Sequence, residues 1–122
     1  MSDDTSKQDF ENFLKKKDLK YETVLIDGKT IFKIVDYVIP HGKHVGKTVQ
    51  VAFPIPNDYP SAAPYGMHIK SDHGFTENIP NNNPSPLSSD WQFWSRSVNN
   101  WNPGRRNAQY YIDHVNRWLE LN

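Results

Sequence analysis

The sequence predicts an α+β domain in which two helices bracket an antiparallel sheet. Three observations carry that prediction. Apolar residues recur at helical spacing near the two ends of the chain, at Phe10, Phe13 and Leu14 and again at Ala108, Tyr111, Ile112, Val115, Trp118 and Leu119. Between residues 21 and 53 the chain is instead rich in β-branched and aromatic residues broken by short turn signals. The length, 122 residues, fits one domain with a single core.

The first helix is expected over residues 6–17, with Lys15, Lys16 and Lys17 in its last turn, where positive charge complements the helix dipole. Residues 1–5 are polar and acidic, unlike a signal peptide, and are expected to be flexible. Asp27-Gly28 separates the run Tyr-Glu-Thr-Val-Leu-Ile at 21–26 from a second β-rich run at 30–39, a strong hairpin signal. A third strand at 47–53 ends at Pro54, which lacks the amide donor that a sheet ladder requires. Strands this close in sequence most simply form an antiparallel meander. Residues 54–64 hold four of the nine prolines and form a stiff connection to a short fourth strand at 65–70. Residues 71–90 are expected to be an irregular loop, because Asn81-Asn82-Asn83-Pro84-Ser85-Pro86 opposes regular structure. Trp101-Asn102-Pro103-Gly104 then reads as a turn into the last helix.

Composition excludes several function classes. No apolar run approaches the ~18 residues of a membrane span, so no membrane association is expected and the cytoplasm is the expected compartment. With no cysteine, the chain has no disulfide, no thiolate metal site and no thiol nucleophile. Fourteen basic residues balance fourteen acidic ones, which opposes a nucleic-acid binder relying on a global positive field.

The candidate chemistry is sparse. His41-x-x-His44 is at most half of a metal site, with no carboxylate nearby, and no metal or cofactor is expected. His68 falls in a predicted strand and His73 just after it, and both read as ordinary strand and turn residues. Asp72-His73 precedes Ser85, Ser88, Ser89, Ser95 and Ser97, the residue types of a hydrolytic triad, but no nucleophile elbow is present. Arg96, Arg105 and Arg106 flank tryptophans that are better read as core than as a stacking platform for single strands. The Lys15–Lys17 run is either a docking patch or a solvated helix end.

Taken in order, these features resemble the ubiquitin-conjugating-enzyme fold. Tyr59, Pro60 and Pro64 match its Tyr-Pro-x-x-Pro-Pro segment, with Ala63 in place of one proline, and Trp101-Asn102-Pro103 matches its Trp-x-Pro turn. The chain is still more similar to a bacterial branch, the prokaryotic ubiquitin-conjugating-like family E. That branch carries a Trp-x-x-Trp-Ser-Arg-His block, then Trp-x-Pro-Gly, then a helix with a central histidine. Here the series is Trp91-Gln92-Phe93-Trp94-Ser95-Arg96, then Trp101-Asn102-Pro103-Gly104, then His114, and the resemblance covers roughly residues 8–120. The branch histidine after Ser-Arg is Ser97 in this sequence.

The resemblance implies an N-terminal helix, a four-stranded antiparallel meander, a long active-site-type loop and a C-terminal helix. It also implies partners: an activating-enzyme-like (ThiF-type) protein, which Lys15, Lys16 and Lys17 would help to dock, a ubiquitin-like protein, and a JAB-type deconjugating protease in the same pathway. The family's catalytic cysteine has no counterpart here, so a thioester on this chain is chemically impossible. Two functions remain open. In one, a serine carries the ubiquitin-like C-terminus as an oxyester. Spacing from Trp101 favours Ser95, with Ser97 and Ser88 or Ser89 behind it, His73 or His114 as base, and Arg96 or a loop asparagine (Asn81, Asn82 or Asn83) opposite the developing oxyanion. In the other, the chain is an inactive adaptor that positions the ubiquitin-like protein for another enzyme.

Overall fold

The computed structural model describes residues 2–26, 28–56, 59, 61, 63–64, 66–71, 79, 83–85, 87, 91–95, 98, 101 and 107–121, with the backbone alone at 2–7. Helix α1 (Ser2–Lys16) is followed by β1 (Tyr21–Ile26), β2 (Lys29–Val38), β3 (Thr48–Pro54), β4 (Met67–Ser71), β5 (Asn83–Pro84), β6 (Gln92–Trp94) and α2 (Ala108–Leu121). The strands form one antiparallel sheet in the order β1-β2-β3-β4-β6-β5.

Helix α1 stops where its carbonyls are satisfied locally. The Leu19 amide donates to the Leu14 carbonyl at 2.9 Å and the Asp18 amide to the Lys15 carbonyl at 3.1 Å. This paired closure needs a left-handed residue, supplied by Asp18 at φ 57°. Lys15, Lys16 and Lys17 all stay exposed around this terminus. Strands β1 and β2 are joined with Ile26 opposite Lys29, a two-residue hairpin in which Gly28 takes φ 78°. The register of β2 against β3 shifts between Ile34 and Tyr37, with Asp36 at φ 55°. This bulge lets Tyr37 remain in the core, where its hydroxyl bonds to Asn116 on α2.

The sheet has two unlike faces. Phe32, Ile34, Val49, Val51, Phe53, Met67, Ile69 and Trp94 form the main core with both helices. Phe10 of α1 lies at its centre, with ring centroids 5.0 Å from Phe53, 5.2 Å from Tyr59 and 5.9 Å from Phe32. From α2, Tyr111 packs at 4.8 Å on Phe53 and Trp118 at 4.6 Å on Trp94. The far face carries a smaller cluster of Ile31, Ala52 and Trp91, flanked by Val24, Ile26 and Leu87. Lys33 Nζ lies 5.8 Å from the centre of the Trp91 ring, over this second cluster.

The structure corrects the expected strand count. The sequence predicts four strands and irregular chain over 71–90, whereas β5 and β6 extend the sheet to six. Asn83–Pro84 can act as a strand because β5 is the outermost one, where the missing proline amide breaks no ladder. Residues 72–78, 80–82, 86 and 88–90 of the expected loop lie outside the described residues. Strand β4 also begins at Met67 rather than at position 65. Gly66 sets that start: at φ 68°, its carbonyl accepts the buried Tyr111 hydroxyl at 2.7 Å.

One carboxylate ties the two helices together. Asp9 Oδ2 accepts the Ala108 amide at 3.0 Å and also the Tyr59 hydroxyl. Asn107 Oδ1 caps the same helix start by accepting the Tyr110 amide at 2.9 Å. Burial and the adjacent Asp9 carboxylate hold the Tyr59 phenol far above its usual pKa, so it remains a donor. Asp9→Ala should therefore lose about 2–3 kcal/mol in urea unfolding, since a buried hydroxyl and a helix-terminal amide both lose their acceptor. Tyr59→Phe, which removes one donor and keeps the ring, should lose roughly 1 kcal/mol.

Candidate functional site

Alternation along the strands brings a set of polar residues to the far face of the sheet. His68 of β4 stands between Ala52 of β3 and Phe93 of β6. Phe93 in turn stands opposite Asn83 of β5. Because successive strand residues point to opposite faces, His68, Phe93 and Asn83 share the face that the helices leave. Ser85, two residues beyond Asn83, reaches the same side and lies 2.9 Å from His68, Oγ to Nδ1. The Leu87 amide donates to the same Ser85 Oγ at 3.2 Å, a serine turn that fixes the hydroxyl.

The imidazole is held on its other sides as well. Its centroid is 4.6 Å from that of Phe93, with the rings inclined by 34°. Phe93 is in turn pressed against Gly66, where an added Cβ would come within 2.6 Å of the ring and of the Trp94 carbonyl oxygen. His68 is only 6% exposed. Burial lowers its pKa to about 4, because a charged ring would lose its hydration there. Ser85 is half-buried, at the margin of this arrangement.

The residues that the sequence singles out are distributed unevenly around this pair. Ser95 follows β6 directly and is exposed. Trp94, the last residue of β6, packs on the helix side. His114 is on α2, on the helix side, 6.3 Å between centroids from Tyr111. It lines a cleft of about 280 Å³ with Val98, Tyr110, Asp113, Arg117 and Trp118. Arg96, Ser97 and His73 lie outside the described residues, as do Pro60, Pro103 and Gly104.

The other motif residues are structural. Tyr59 and Pro64 are buried, and Trp101 packs 6.1 Å from both Tyr59 and Tyr110. Trp91 and Trp94 anchor the two opposite faces of the sheet. In the His41–His44 connection, His44 Nδ1 lies 3.2 Å from Lys47 Nζ, a neighbour that does not ligate metals. Among the described residues no three histidine, aspartate or glutamate side chains converge as metal ligands. Among them, too, no helix is long and apolar enough to cross a membrane.

A family model described as Prokaryotic E2 family E matches residues 6–122. The chain belongs to that family. No curated protein and no solved structure matches it. The α+β architecture, with two helices and a six-stranded antiparallel sheet, is compatible with the ubiquitin-conjugating-enzyme-like fold. For this family member, the His68–Ser85 contact is the feature that sequence reasoning missed. The two residues are 17 apart, and only the pairing of β4 with β6 and of β6 with β5 joins them. Ser85 stood among five equivalent serines and His68 among five histidines, with no local motif linking them.

Two outcomes follow from this packing. The imidazole should titrate near pH 4 by NMR, well below the ordinary 6.5. Between those values the unfolded chain binds a proton that the folded chain does not. Stability should therefore be full above pH 6.5 and fall, by on the order of 3 kcal/mol, as the pH drops to about 4. Gly66→Ala should lose about 3 kcal/mol in urea unfolding, from left-handed backbone strain and from the displaced Phe93 ring.

Proposed function

We propose that this chain is a working component of a bacterial ubiquitin-like conjugation pathway. It binds an activating-enzyme-like (ThiF-type) partner and a ubiquitin-like protein, and it carries the C-terminus of the latter as a serine ester. The observation behind this reading is a family match over residues 6–122 in a chain with no cysteine. A carrier of this family without a thiol has to form its covalent bond through another nucleophile, and serine is the nearest chemical substitute. Ser95, exposed at the end of β6, is the attachment position that sequence spacing proposes. Ser97 is the alternative position behind it, Arg96 the proposed partner of the oxyanion, and His73 or His114 the proposed base. A JAB-type protease in the pathway would cleave the products.

A second reading is supported by the same missing thiol. A serine at its ordinary pKa is a poor nucleophile, and an adaptor that merely holds the ubiquitin-like protein needs none. In both readings the exposed Lys15, Lys16 and Lys17 face the activating partner, and α1 presents them at its C-terminal end.

Intact-mass spectrometry of the chain with the activating partner, the ubiquitin-like protein and ATP separates the two. A hydroxylamine-labile adduct of one ubiquitin-like mass is the expected result, and its loss in Ser95→Ala would fix the attachment there. A stable complex on a sizing column without an adduct would instead support the adaptor. Neither adduct nor complex would reject the pathway. Replacing Lys15, Lys16 and Lys17 together by Glu should weaken partner binding about tenfold or more at low salt, and unchanged affinity would reject that surface.

A further inference from the structure

We propose that Ser85 and His68 are a nucleophile–base pair that takes acyl groups from activated esters and thioesters. Ser85 Oγ lies 2.9 Å from His68 Nδ1, within reach for direct proton transfer. The Leu87 amide donates to Oγ at 3.2 Å and leaves the hydroxyl hydrogen available to donate to Nδ1 when that nitrogen carries no hydrogen. The same amide favours negative charge on Oγ as it becomes the nucleophile. Burial keeps the imidazole neutral at physiological pH, and in the tautomer with its hydrogen on Nε2 the Nδ1 lone pair faces Oγ and accepts the proton. In a triad a third polar group orients the base. Here the Phe93 ring at 4.6 Å and the surrounding strands hold the imidazole instead.

A serine turn explains why Ser85 is bound by the Leu87 amide, but it does not require a buried histidine opposite. Burying a histidine in a sheet costs desolvation, and an apolar residue would pack against Phe93 without that cost. The pair is therefore more than a turn fastening.

The chemistry balances within the pair and its donor. Ser85 Oγ attacks the carbonyl carbon and forms a C–O bond while its proton moves to His68 Nδ1. The donor's C–S or C–O bond breaks, and the proton passes from His68 to the departing thiolate or alkoxide. The products are an ester on Ser85, a free thiol or alcohol, and a neutral imidazole. An amine attacking that ester would form an amide and regenerate the Ser85 hydroxyl. The function proposed above attaches the ubiquitin-like C-terminus at Ser95, so Ser85 is a second acyl-accepting position, and the reactivity of the pair does not rest on that function.

The test uses the whole chain with p-nitrophenyl acetate as the acyl donor, intact mass to follow acetylation and peptide mapping to place it. The expected result is one acetyl group on Ser85, formed about 100-fold more slowly in His68→Gln and lost in Ser85→Ala, with both variants folded by near-UV circular dichroism. Absence of acetylation on Ser85 in the unaltered chain, a result that depends on no variant folding, would overturn the pair, as would an unchanged rate in folded His68→Gln. Acetylation of Ser85 without any ubiquitin-like adduct would keep the pair and reject the pathway. A ubiquitin-like adduct on Ser95 with an inert Ser85 would keep the pathway and reject the pair.

Discussion

The fold depends on where one carboxylate sits. Asp9 reaches from the N-terminal helix to the first amide of the C-terminal helix, 99 residues later, and to the phenol of Tyr59 in the proline-rich connection. It thus fastens three parts of the chain that no strand pairing links. The negative charge lies at the start of α2, where the helix dipole favours it. Phe10, the next residue, turns into the aromatic core and touches Phe32, Phe53, Tyr59 and Tyr111. One residue supplies the polar latch and its neighbour the apolar wedge, so the helix pair and the sheet are placed together.

That latch decides which face of the sheet is left for polar chemistry. Both helices cover the side of Phe32, Val51, Met67 and Trp94, and the main core forms there. Among the described residues, the other side carries a smaller cluster around Ile31, Ala52 and Trp91. A histidine can be accommodated beside such a cluster because a serine hydroxyl and an aromatic ring replace part of its hydration. The close approach of Phe93 to Gly66 ties this arrangement back to the main core, since the Gly66 carbonyl also receives the Tyr111 hydroxyl. The two faces are coupled through a single glycine at the start of β4.

Membership of a conjugating-enzyme-like family sharpens the question of the missing thiol. Thiolates are strong nucleophiles near neutral pH and need little help, whereas a serine requires a base to take its proton as it attacks. A cysteine-free member that carries an acyl group on a serine therefore needs a base beside the hydroxyl, and a neutral imidazole is one such base. A member that only binds needs neither. The two functions differ in what the tertiary structure must bring together, while their requirements on the overall fold are the same.

The sequence by itself determined the elements whose signals are local. The stripe from Ala108 to Leu119 marks α2, Asp27-Gly28 the first hairpin, and Pro54 the end of the third strand region. The ordered tryptophan and proline motifs point to the family, because each is a short pattern at fixed offsets. Tertiary structure decided what depends on pairing across distance. Strand β5 contains Pro84 and has no local β signal; it exists because β6 offers an edge that needs no amide from that proline. Asp9 looks like any solvent-facing helix residue until α2 arrives above it. His68 looks like an ordinary strand residue, and Ser85 like one loop serine among several. Only the registers of β4 with β6 and of β6 with β5 bring the imidazole and the hydroxyl within a hydrogen bond, and register between separate strands is set by the packed core rather than by either segment alone.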